Sequence, residues 1–476
     1  MHRTSLWIGG KKVETESFET LRAPYGGAPI AEVASAGEAE ADQAIAAAVD
    51  AKAVMRTMPA HARATILERL AAGLEKRREE AARLIALEAG KPLKAAYAEV
   101  DRTVQTYKFS AEEAKRIHGE TIPLDAAPGG EGRLAYTLRE PVGVVGAITP
   151  FNFPMNLVAH KVGPALASGN TVVLKPAPQT PLTALLVAEL LAEAGLPAGA
   201  LNVLTGDGKL LGEKITRDPR VDAISFTGSV GVGARIRAQA GLKRVTLELG
   251  SNSAVIVDRD ADLDAVAARC AAGAFSYQGQ VCISLQRIYV VSDVRDAFVR
   301  KLKEEVGRLR LGDPLDPETD VSAMISPRES ERALAWIAEA LDRGASLAAG
   351  GTLTNDGVLA PTILLDVPHD ARISCEEAFA PVVLVNRVDT IEEAIARVND
   401  SAFGLQAGIY TNRLDTALRA ADALRAGGVL VNDIPTFRVD HMPYGGIKES
   451  GVGREGVQYA IEELTEPKLV IFNRNV

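Results

Sequence analysis

The chain has 476 residues, of which 47% are hydrophobic and 24% are charged, and its formal net charge is −9 at pH 7. This length exceeds what one hydrophobic core usually supports, so we expect two or three domains. A nucleic-acid-binding protein usually presents a basic face, and the negative net charge therefore argues against that class of function.

The cysteines and the N-terminus indicate the compartment. Cys270, Cys282 and Cys375 are too few for a disulfide framework and are typical of a reducing environment. The first twelve residues lack the apolar core of a secretory signal, and no apolar run approaches the ~18 residues of a membrane span. We therefore expect a cytoplasmic protein without a membrane partner.

The N-terminal part of the chain is predicted to be mainly helical. Residues 1–20 are typical of a strand pair that turns at Gly9 and Gly10. Over residues 39–90, leucine and isoleucine recur at intervals of three and four, which predicts helix, and Gly90-Lys91-Pro92 ends the pattern. A further helix is predicted over residues 95–117.

A polar break at residues 123–132, rich in glycine and proline, precedes an isolated strand. Residues 133–139 alternate leucine and tyrosine with polar side chains, which predicts a strand with one exposed face. The tail, residues 465–472, is predicted to be a last strand that could pair with it. Because this strand stands outside the units that follow, it is a candidate for pairing with another subunit.

Strands and helices then alternate, which is typical of a doubly wound α/β sheet. The first strand of this series, residues 142–148, is a continuous apolar run, as in a buried parallel strand. The series is predicted to contain strands at 142–148, 171–175, 201–204, 223–226 and 244–249, with helices at 155–167, 183–194, 209–216 and 231–240. A second α/β series is predicted from about residue 253 to 431, with strands at 254–257, 287–291, 382–387 and 428–431.

Two residues could take part in covalent chemistry. Cys282 follows Gln278-Gly279-Gln280, where the glycine lets the backbone turn and present the thiol at an element's edge. A free cysteine is nevertheless more often a small buried core residue. Asn152, within Pro150–Pro154, follows a buried strand, and ligands of open α/β sheets bind at strand carboxyl ends. Its amide could donate to an oxyanion or simply cap the next helix.

Three further positions lie at the ends of predicted strands. Lys175 could reach a ribose or a phosphate, although a lysine there is usually only solvated. The glycine-rich turn at residues 226–233 begins a helix and could bind an anion, or it could be only a tight turn. Glu248 lies between two leucines, so burial would raise its pKa and suit a general base; it could equally face outward.

Taken together and in this order, these segments resemble the aldehyde dehydrogenase superfamily, and the resemblance covers essentially the whole chain. It implies an α/β fold with two doubly wound domains and a β-hairpin oligomerisation element. The matching segments are Pro150–Pro154, Lys175-Pro176, Phe226–Ser229, Glu248-Leu249-Gly250, Gly279–Cys282, Glu377–Pro381 and Pro443–Lys448.

The resemblance implies a division of the chain and a set of roles. The NAD(P)-binding domain would comprise residues 1–121 and 141–249, the catalytic domain 250–447, and the oligomerisation strands 122–140 and 463–476, giving a homodimer or homotetramer. Cys282 would be the nucleophile, Asn152 and the Cys282 backbone N–H the oxyanion hole, and Glu248 the base for deacylation. No metal is implied. The remaining cofactor contacts would be Thr149, Pro150, Phe151, Lys175, Pro178, Gly228, Ser229, Gly233, Leu249, Glu377 and Phe379.

One departure from the family pattern concerns the cofactor. Many members that prefer NAD carry a glutamate three residues after the lysine, whereas this chain has Pro178. Loss of that carboxylate removes repulsion of a 2′-phosphate, so NADP becomes possible and NAD is not excluded. Glu248 also bears on the reaction, because members that transfer the acyl group to coenzyme A tend to lack it.

The substrate is predicted from positions that line the family's aldehyde tunnel. Phe153, Leu157 and His160 share one helix face, and Arg438 and Arg102 are predicted near the same tunnel. Each arginine could instead be a surface residue, and Arg438 could pair with Asp440. Because a guanidinium binds anions in bidentate fashion, we expect a short polar or anionic aldehyde.

Within the superfamily, the chain looks most like the branch of lactaldehyde, phosphonoacetaldehyde and non-phosphorylating glyceraldehyde-3-phosphate dehydrogenases. The alternatives are a succinate-semialdehyde-type dehydrogenase of amino-acid catabolism, a coenzyme A-acylating dehydrogenase, and a protein that kept the fold only as a binding module. Intact Cys282, Asn152 and Glu248 argue against the last of these.

Overall fold

The computed structural model describes residues 2–474; position 1 of the predicted N-terminal strand pair and positions 475 and 476 of the predicted oligomerisation strand lie outside the described residues. The strands are, in chain order, β1 (His2–Arg3), β2 (Leu6–Ile8), β3 (Lys11–Val13), β4 (Phe18–Arg22), β5 (Pro29–Ala34), β6 (Thr121–Ile122), β7 (Arg133–Pro141), β8 (Val144–Ile148), β9 (Thr171–Lys175), β10 (Leu201–Val203), β11 (Ala223–Thr227), β12 (Arg244–Glu248), β13 (Ala254–Val257), β14 (Arg287–Val291), β15 (Ser346–Ala349), β16 (Thr362–Leu365), β17 (Val382–Val388), β18 (Phe403–Gly404), β19 (Gln406–Tyr410), β20 (Gly428–Val431), β21 (Ile447–Lys448), β22 (Gly451–Val452) and β23 (Thr465–Asn473).

The helices lie mainly between the strands. They are α1 (Glu38–Thr57), α2 (Ala60–Lys76), α3 (Arg78–Ala89), α4 (Leu93–Ala114), α5 (Asn156–Ala167), α6 (Leu182–Glu193), α7 (Gly208–Arg217), α8 (Val230–Gln239), α9 (Leu263–Phe275), α10 (Arg295–Gly307), α11 (Pro327–Asp342), α12 (Arg372–Cys375), α13 (Ile391–Asn399), α14 (Leu414–Ala423) and α15 (Val457–Glu463), with 3₁₀ turns at Leu124–Ala126 and Ser276–Gly279. Within residues 2–474, no helix is both long enough and apolar enough to cross a bilayer.

The first large sheet has eight strands in the order β22-β12-β11-β8-β9-β10-β2-β3. Strands β12, β11, β8, β9 and β10 run parallel, and β8 is buried along its whole length. Gly146 allows a helix to pack closely on β8, because an added Cβ would lie 2.4 Å from the Ile215 side chain. From β8 the chain adds β9 and β10 on one side and then β11 and β12 on the other side. The order of the strands therefore reverses between β8 and β11, and ligands of such sheets bind at this point.

The second large sheet has seven strands in the order β15-β16-β17-β14-β13-β19-β20, and all pairings except β15 with β16 are parallel. The two predicted α/β series are therefore confirmed as two separate sheets. Helix α9 and the turn at Ser276–Gly279 connect β13 to β14, and Cys282 lies in the loop that follows this turn.

A third sheet, β23-β7-β6, stands apart from the other two. Strands β7 and β23 pair antiparallel from Arg133 with Asn473 to Pro141 with Thr465, which confirms the predicted pairing of the tail. Both faces of this sheet expose apolar side chains: Leu138 and Phe472 lie on one face, and Leu469 and Ile471 on the other.

The helical pattern predicted over residues 39–90 is confirmed, and it is divided into three helices, because Pro59 lies between α1 and α2 and a short break at Arg77 separates α2 from α3. The predicted strand at 142–148 begins only at Val144. Gly143 adopts φ 131°, and an added Cβ there would lie 2.0 Å from an oxygen of Asp222. The turn at Gly9 and Gly10 is confirmed, whereas β4 and β5 were not predicted.

Candidate active site

The loop that presents Cys282 has an unusual backbone. Tyr277, Gln278 and Gly279 are three consecutive residues in the left-handed region, with φ of 47°, 55° and 68°. Side-chain hydrogen bonds hold this conformation: Tyr277 Oη donates to Ala89 O at 2.9 Å, and Gln278 Nε2 donates to Gly90 O at 2.8 Å. The surrounding structure thus stabilises a backbone that would otherwise be strained, as is common near functional sites.

Glycine is required at position 279 for a steric reason as well. An added Cβ would lie only 2.1 Å from the carbonyl oxygen of Ala380. Ala380 belongs to the segment that also carries Glu377 and Phe379, so this close approach fixes the Cys282 loop against that segment. The sequence pattern Gln-Gly-Gln before the cysteine therefore reflects both a turn and a tight contact.

Cys282 lies in the wall of a cavity of about 220 Å³, which is enclosed mainly by side chains of α4, α5 and the 276–283 and 436–444 segments. Three cationic side chains and one carboxylate are among its lining residues. The lining residues are Lys91, Ala95, Ala98, Glu99, Arg102, Phe153, Asn156, Leu157, Ser276, Tyr277, Val281, Cys282, Ile283, Thr436, Arg438 and Tyr444.

Cys282 is half-buried in this wall, and removal of its thiol from water raises the pKa of Cys282 to about 11. A hydrogen bond to the Tyr444 hydroxyl, with 2.8 Å between Sγ and Oη, and the charge of Arg438 oppose this rise. The carboxylates of Glu377 and Glu248 add to it. A nucleophilic role therefore requires groups that stabilise the thiolate.

Asn152 lies beside the Cys282 loop. Its Nδ2 donates to the carbonyl of Gln280 at 3.0 Å, and its Oδ1 is buried without a hydrogen-bond partner among the described residues. A side-chain amide has two N–H hydrogens, so one remains available to a ligand. The structure thus places Asn152 against the loop that carries Cys282, and the oxyanion hole stays a prediction.

Glu248 ends strand β12 and is 3% exposed, which confirms the burial predicted from its flanking leucines. Neither carboxylate oxygen has a hydrogen-bond partner within residues 2–474. Burial, reinforced by the negative charge of Glu455, holds the pKa of Glu248 well above its usual range. A buried carboxyl group without partners is rare in folded proteins and indicates a place where water or substrate binds.

Other buried polar atoms without partners lie at the same sheet edge. In the described part of the chain, Thr149 Oγ1 follows β8 and Thr227 Oγ1 ends β11, and neither has a hydrogen-bond partner. Together with Asn152 and Glu248, they cluster where the order of the strands in the first sheet reverses. Such a cluster is the expected environment of a polar ligand that the protein binds there.

Several of the predicted cofactor residues lie at the carboxyl ends of strands in the first sheet, beside this cluster, in a region here called the cofactor cleft. Lys175 ends β9, its ammonium group makes no hydrogen bond within the described residues, and burial lowers its pKa to about 8 despite attraction from Asp207. Ser229 precedes helix α8, and its hydroxyl does not cap that helix. An added Cβ at Gly233 would lie 2.5 Å from Leu249, so glycine lets α8 approach the end of β12. A cation, a free hydroxyl and a helix N-terminus together suit a pyrophosphate.

The far side of this cleft comes from the second sheet. Glu377 accepts a hydrogen bond from Ser251 N at 3.0 Å, and burial raises the pKa of Glu377 to about 7. Phe379 adopts φ 45° and meets Phe151, which follows Pro150, edge to face at 5.8 Å. Gly228 is fixed by the ring of Phe226, which an added Cβ would approach to 2.5 Å.

A second cavity of about 230 Å³ lies between α7 and α8, with Ile148, Gly208 and Ile236 in its wall. Lys175 lies beside this cavity, because an added Cβ at Gly208 would lie 3.1 Å from the Nζ of that lysine. Pro178 is in the wall of a separate cavity with Gln179 and Glu88. The residues present therefore fit a dinucleotide. No group of three or more potential metal ligands occurs within residues 2–474.

Arg438 is buried beside Cys282, and its guanidinium lies 3.6 Å from the centre of the Tyr444 ring. Its Nη2 donates to Glu455 Oε2 at 3.0 Å and lies 3.1 Å from His160 Nε2, while its Nε has no partner among the described residues. The alternative considered from the sequence, a pair between Arg438 and Asp440, is therefore wrong. The partner is a glutamate 17 residues further along the chain.

Asp440 instead accepts hydrogen bonds from three other side chains. Arg102 binds it in bidentate fashion at 2.7 and 3.2 Å, Asn156 Nδ2 at 3.0 Å and His160 Nε2 at 2.9 Å. Burial alone would raise the pKa of Asp440, but the hydrogen bond from His160 and the charge of Arg102 hold it well below its usual range. His160 lies behind Arg438, outside the described cavity lining, whereas Arg102, Phe153 and Leu157 line the cavity.

Several residues of the site were missed by sequence reasoning. Lys91, treated there only as part of a helix stop, is fully buried, with its ammonium 3.6 Å from the centre of the Phe153 ring and paired with Glu99. Lys161 is buried with Glu455 at 2.9 Å. Tyr444 was quoted only as part of a motif. A lysine directly after a glycine at a helix end carries no local signal of burial, since its position depends on α3 meeting α4.

Comparison with known proteins shows which proteins this chain is similar to. The profile described as "Aldehyde dehydrogenase family" matches residues 7–470. The chain is 48% identical over 470 residues to a 3-sulfolactaldehyde dehydrogenase of Priestia aryabhattai, covering 98% of each chain.

Solved structures give the same picture. Aldehyde dehydrogenase 21 from Physcomitrella patens, in complex with the reaction product succinate, is 38% identical with a TM-score of 0.97, covering 100% of this chain and 99% of that one. An NADP-dependent glyceraldehyde-3-phosphate dehydrogenase from Bacillus halodurans, complexed with NADP, is 37% identical with a TM-score of 0.97, covering 99% of this chain and 100% of that one. The fold predicted from the sequence is thereby confirmed.

Proposed function

The chain belongs to the aldehyde dehydrogenase family, and we propose that it oxidises a short anionic aldehyde to its carboxylate with NAD or NADP. The observation that carries this proposal is the cavity at Cys282, which three cationic side chains and one carboxylate line. At about 220 Å³ it is smaller than the ~300–1,000 Å³ typical of pockets for drug-sized ligands. A long fatty aldehyde would not fit within it.

The first step assigned to this chain is attack of Cys282 on the aldehyde carbon. A bond forms between Sγ and that carbon, and the carbonyl oxygen becomes an oxyanion. The free amide hydrogen of Asn152 and the backbone N–H of Cys282 donate to it. When bound, NAD or NADP would supply the hydride acceptor for oxidation of the thiohemiacetal carbon, which would convert the adduct on Cys282 to a thioester.

Glu248 completes the cycle. Because its pKa is raised and its oxygens are unpartnered, it can take a proton from a water molecule, which attacks the thioester carbon. The carbon–sulfur bond breaks, the carboxylate product leaves, and the thiolate returns. Retention of this base favours hydrolysis over transfer to coenzyme A, and product analysis with and without coenzyme A would separate the two outcomes.

The cofactor would be held by the first sheet and the segment after it. We assign residues 1–121 and 141–249 to cofactor binding and 250–447 to the nucleophile. Lys175 would bind the adenosine ribose, Ser229 the pyrophosphate and Glu377 the nicotinamide ribose. Pro178 presents no carboxylate to a 2′-phosphate, and the similar Bacillus halodurans enzyme is complexed with NADP. NADP should therefore be accepted.

The anionic group of the substrate would lie near Arg102 and Arg438. Arg102 is about one-third exposed and keeps its position through Asp440, while the buried Nε of Arg438 has no partner among the described residues. The 3-sulfolactaldehyde dehydrogenase at 48% identity supports a sulfonate as the anion. The succinate complex of a structural neighbour supports a carboxylate, as in succinate semialdehyde, as the second candidate.

An aldehyde panel tests this proposal. The kcat/KM is measured with 3-sulfolactaldehyde, succinate semialdehyde, glyceraldehyde 3-phosphate, lactaldehyde and hexanal, each with NAD and with NADP. Arg102→Gln should lower kcat/KM for the preferred anionic aldehyde by about 10- to 100-fold and leave lactaldehyde nearly unchanged. Lys94→Gln is the matched control, because it removes one cation from the same helix outside the cavity lining.

Two results would contradict the proposal. One is a wild-type preference for hexanal over every anionic aldehyde. The other is an equal loss for anionic and neutral aldehydes in Arg102→Gln, which would mean that Arg102 only supports the structure through Asp440.

We also propose that the exposed apolar side chains of β7 and β23, which lie on both faces of this sheet, mediate self-association, since burying them in a dimer or tetramer removes apolar surface from water. Leu469→Asp and Phe472→Asp together should shift the protein toward monomer in analytical ultracentrifugation. An unchanged sedimentation profile would contradict this assignment.

A further inference from the structure

The Tyr444 hydroxyl lies in direct contact with the candidate nucleophile. Its Oη is 2.8 Å from Cys282 Sγ, and both residues line the same cavity. Tyr444 is 3% exposed, so its hydroxyl is largely removed from bulk water. A buried phenolic O–H almost always has a hydrogen-bond partner, and the sulfur is the one partner found among the described residues.

Two independent contacts fix the Tyr444 ring. Its backbone N–H donates to Glu455 O at 2.9 Å and its carbonyl accepts from Glu455 N at 2.7 Å, which forms an isolated antiparallel bridge. The Arg438 guanidinium lies over one face of the ring at 3.6 Å, and Glu455 holds that guanidinium. The hydroxyl is therefore aimed at the sulfur before any ligand binds.

The surroundings of the sulfur otherwise disfavour a negative charge. The thiol is half-buried, and its partial removal from water and the carboxyl groups of Glu248 and Glu377 oppose its ionisation. Tyr444 and Arg438 are the nearby groups that favour it. A thiolate has no hydrogen to give, so in that state the phenol must be the donor across the short contact.

We propose that Tyr444 is a catalytic residue whose phenolic O–H donates a hydrogen bond to the Cys282 thiolate and stabilises the nucleophile before it attacks the aldehyde. The proposal rests on the role of Cys282 given above. The thiol proton passes to water, the phenol keeps its own proton, and the sulfur then forms its bond to the carbonyl carbon. The opposite arrangement, a thiol donating to the phenol oxygen, would stabilise the neutral thiol.

The two arrangements predict opposite signs for Tyr444→Phe. This change removes the hydroxyl and keeps the ring under Arg438, so the fold should be retained. Alkylation by iodoacetamide is followed against pH in the cofactor-free enzyme, in a Cys375→Ser background that removes the exposed thiol. If the phenol donates, the apparent pKa of Cys282 should rise by about one to two units, as expected for loss of a hydrogen bond to a charged group.

Turnover gives a second readout. At neutral pH, Tyr444→Phe should lower kcat/KM for the preferred aldehyde by about 10- to 100-fold, and the loss should shrink as the pH rises and the thiolate forms without help. The affinity for NADP, measured by fluorescence titration, should stay that of the parent enzyme. This pH-dependent recovery would not accompany a purely structural defect.

The outcomes separate this inference from the proposed function. An alkylation pKa that is unchanged or lowered in Tyr444→Phe overturns the inference, and so does a loss of kcat/KM that is the same at every pH. Cys282→Ser, assayed alongside, tests the nucleophile itself. If it keeps full turnover, the proposed mechanism fails; if it is inactive while Tyr444→Phe shows no pH shift, only the role of Tyr444 fails.

Discussion

The cavity at Cys282 and the neighbouring cofactor cleft differ in whether their charged side chains are paired within the protein. In the cavity, each cation of the lining is paired within the protein: Lys91 with Glu99, Arg438 with Glu455 and Arg102 with Asp440. In the cleft, the ammonium group of Lys175 makes no hydrogen bond among the described residues, and the Ser229 hydroxyl does not cap its helix.

This difference indicates how each region binds its ligand. The cleft supplies unpaired groups whose burial is compensated only when a charged ligand arrives, so its binding energy comes from the ligand. In the cavity, carboxylates of the protein pair with the cations, which holds the cations in fixed positions and makes them costly to disturb. Mutations should therefore act on ligand affinity in the cleft and on stability and chemistry in the cavity.

The largest expected effect comes from removing the nucleophile. This change affects the cavity and leaves the cofactor cleft intact. Cys282→Ser should lower kcat by at least about 10³-fold, since loss of a covalent nucleophile removes the reaction path itself. NADP affinity, measured by fluorescence titration, should be retained because the cleft is untouched. Substantial NADPH formation at 340 nm by this variant would contradict the whole mechanism.

The next effect concerns the paired charges of the cavity. Glu455→Ala leaves Lys161 and Arg438 buried without their carboxylate and should lower the free energy of unfolding by about 3–5 kcal/mol. Glu466→Ala, which removes a carboxylate from an exposed pair with Arg244, should cost no more than about 1 kcal/mol. Urea denaturation followed by tryptophan fluorescence measures both. Equal losses of unfolding free energy in the two variants would mean that the buried ion pairs stabilise the fold no more than the exposed pair does.

A smaller effect is expected when a carboxylate is added to the cleft. Pro178→Glu should repel the 2′-phosphate and lower kcat/KM with NADP by roughly 10-fold relative to NAD. The ratio of kcat/KM for the two cofactors, measured with one aldehyde, checks this. Pro178→Gln is the matched control, since it has the same size without the charge, and a similar shift in both variants would exclude repulsion as the cause.

The smallest effect is a pH dependence of cofactor affinity. Burial lowers the pKa of free Lys175 to about 8, and an anionic ligand beside it would raise that pKa. The contribution of Lys175 to binding is therefore complete below about pH 8 and is lost as the pH rises through the higher value of the complex.

We expect the Kd for NADP to increase several-fold between about pH 7 and pH 9.5. Lys175→Arg should bind with little pH dependence over this range, because arginine keeps its charge. Isothermal titration calorimetry at several pH values measures both variants. A wild-type affinity that is constant with pH would mean that Lys175 does not contact a charged part of the cofactor.

The fold was largely predictable because it depends on local, repeated patterns. Apolar and β-branched residues predominate in Val144–Ile148 and Thr171–Lys175, which predicts strands, and the helices between such strands follow from the same alternation. Strands β4 and β5 escaped prediction because they are short, and β4 is largely exposed, so their side chains show little periodicity.

The candidate residues were predictable to the extent that a motif includes them. Cys282, Asn152 and Glu248 each follow a strand, a turn or a helix that the sequence already indicated, and the structure brings Asn152 into contact with the Cys282 loop. Lys91 and Tyr444 stood in quoted segments, but nothing local distinguished their side chains from solvent-exposed ones.

The sequence by itself determined the order of the elements, the family and the residues that could carry chemistry. Only the tertiary structure decided which charges meet. Arg438 had Asp440 two residues away yet pairs with Glu455, while Asp440 binds Arg102 from a distant helix. The physical reason is that an ion pair needs side chains that point into the same space, and that direction is set by how separate segments pack rather than by their distance along the chain.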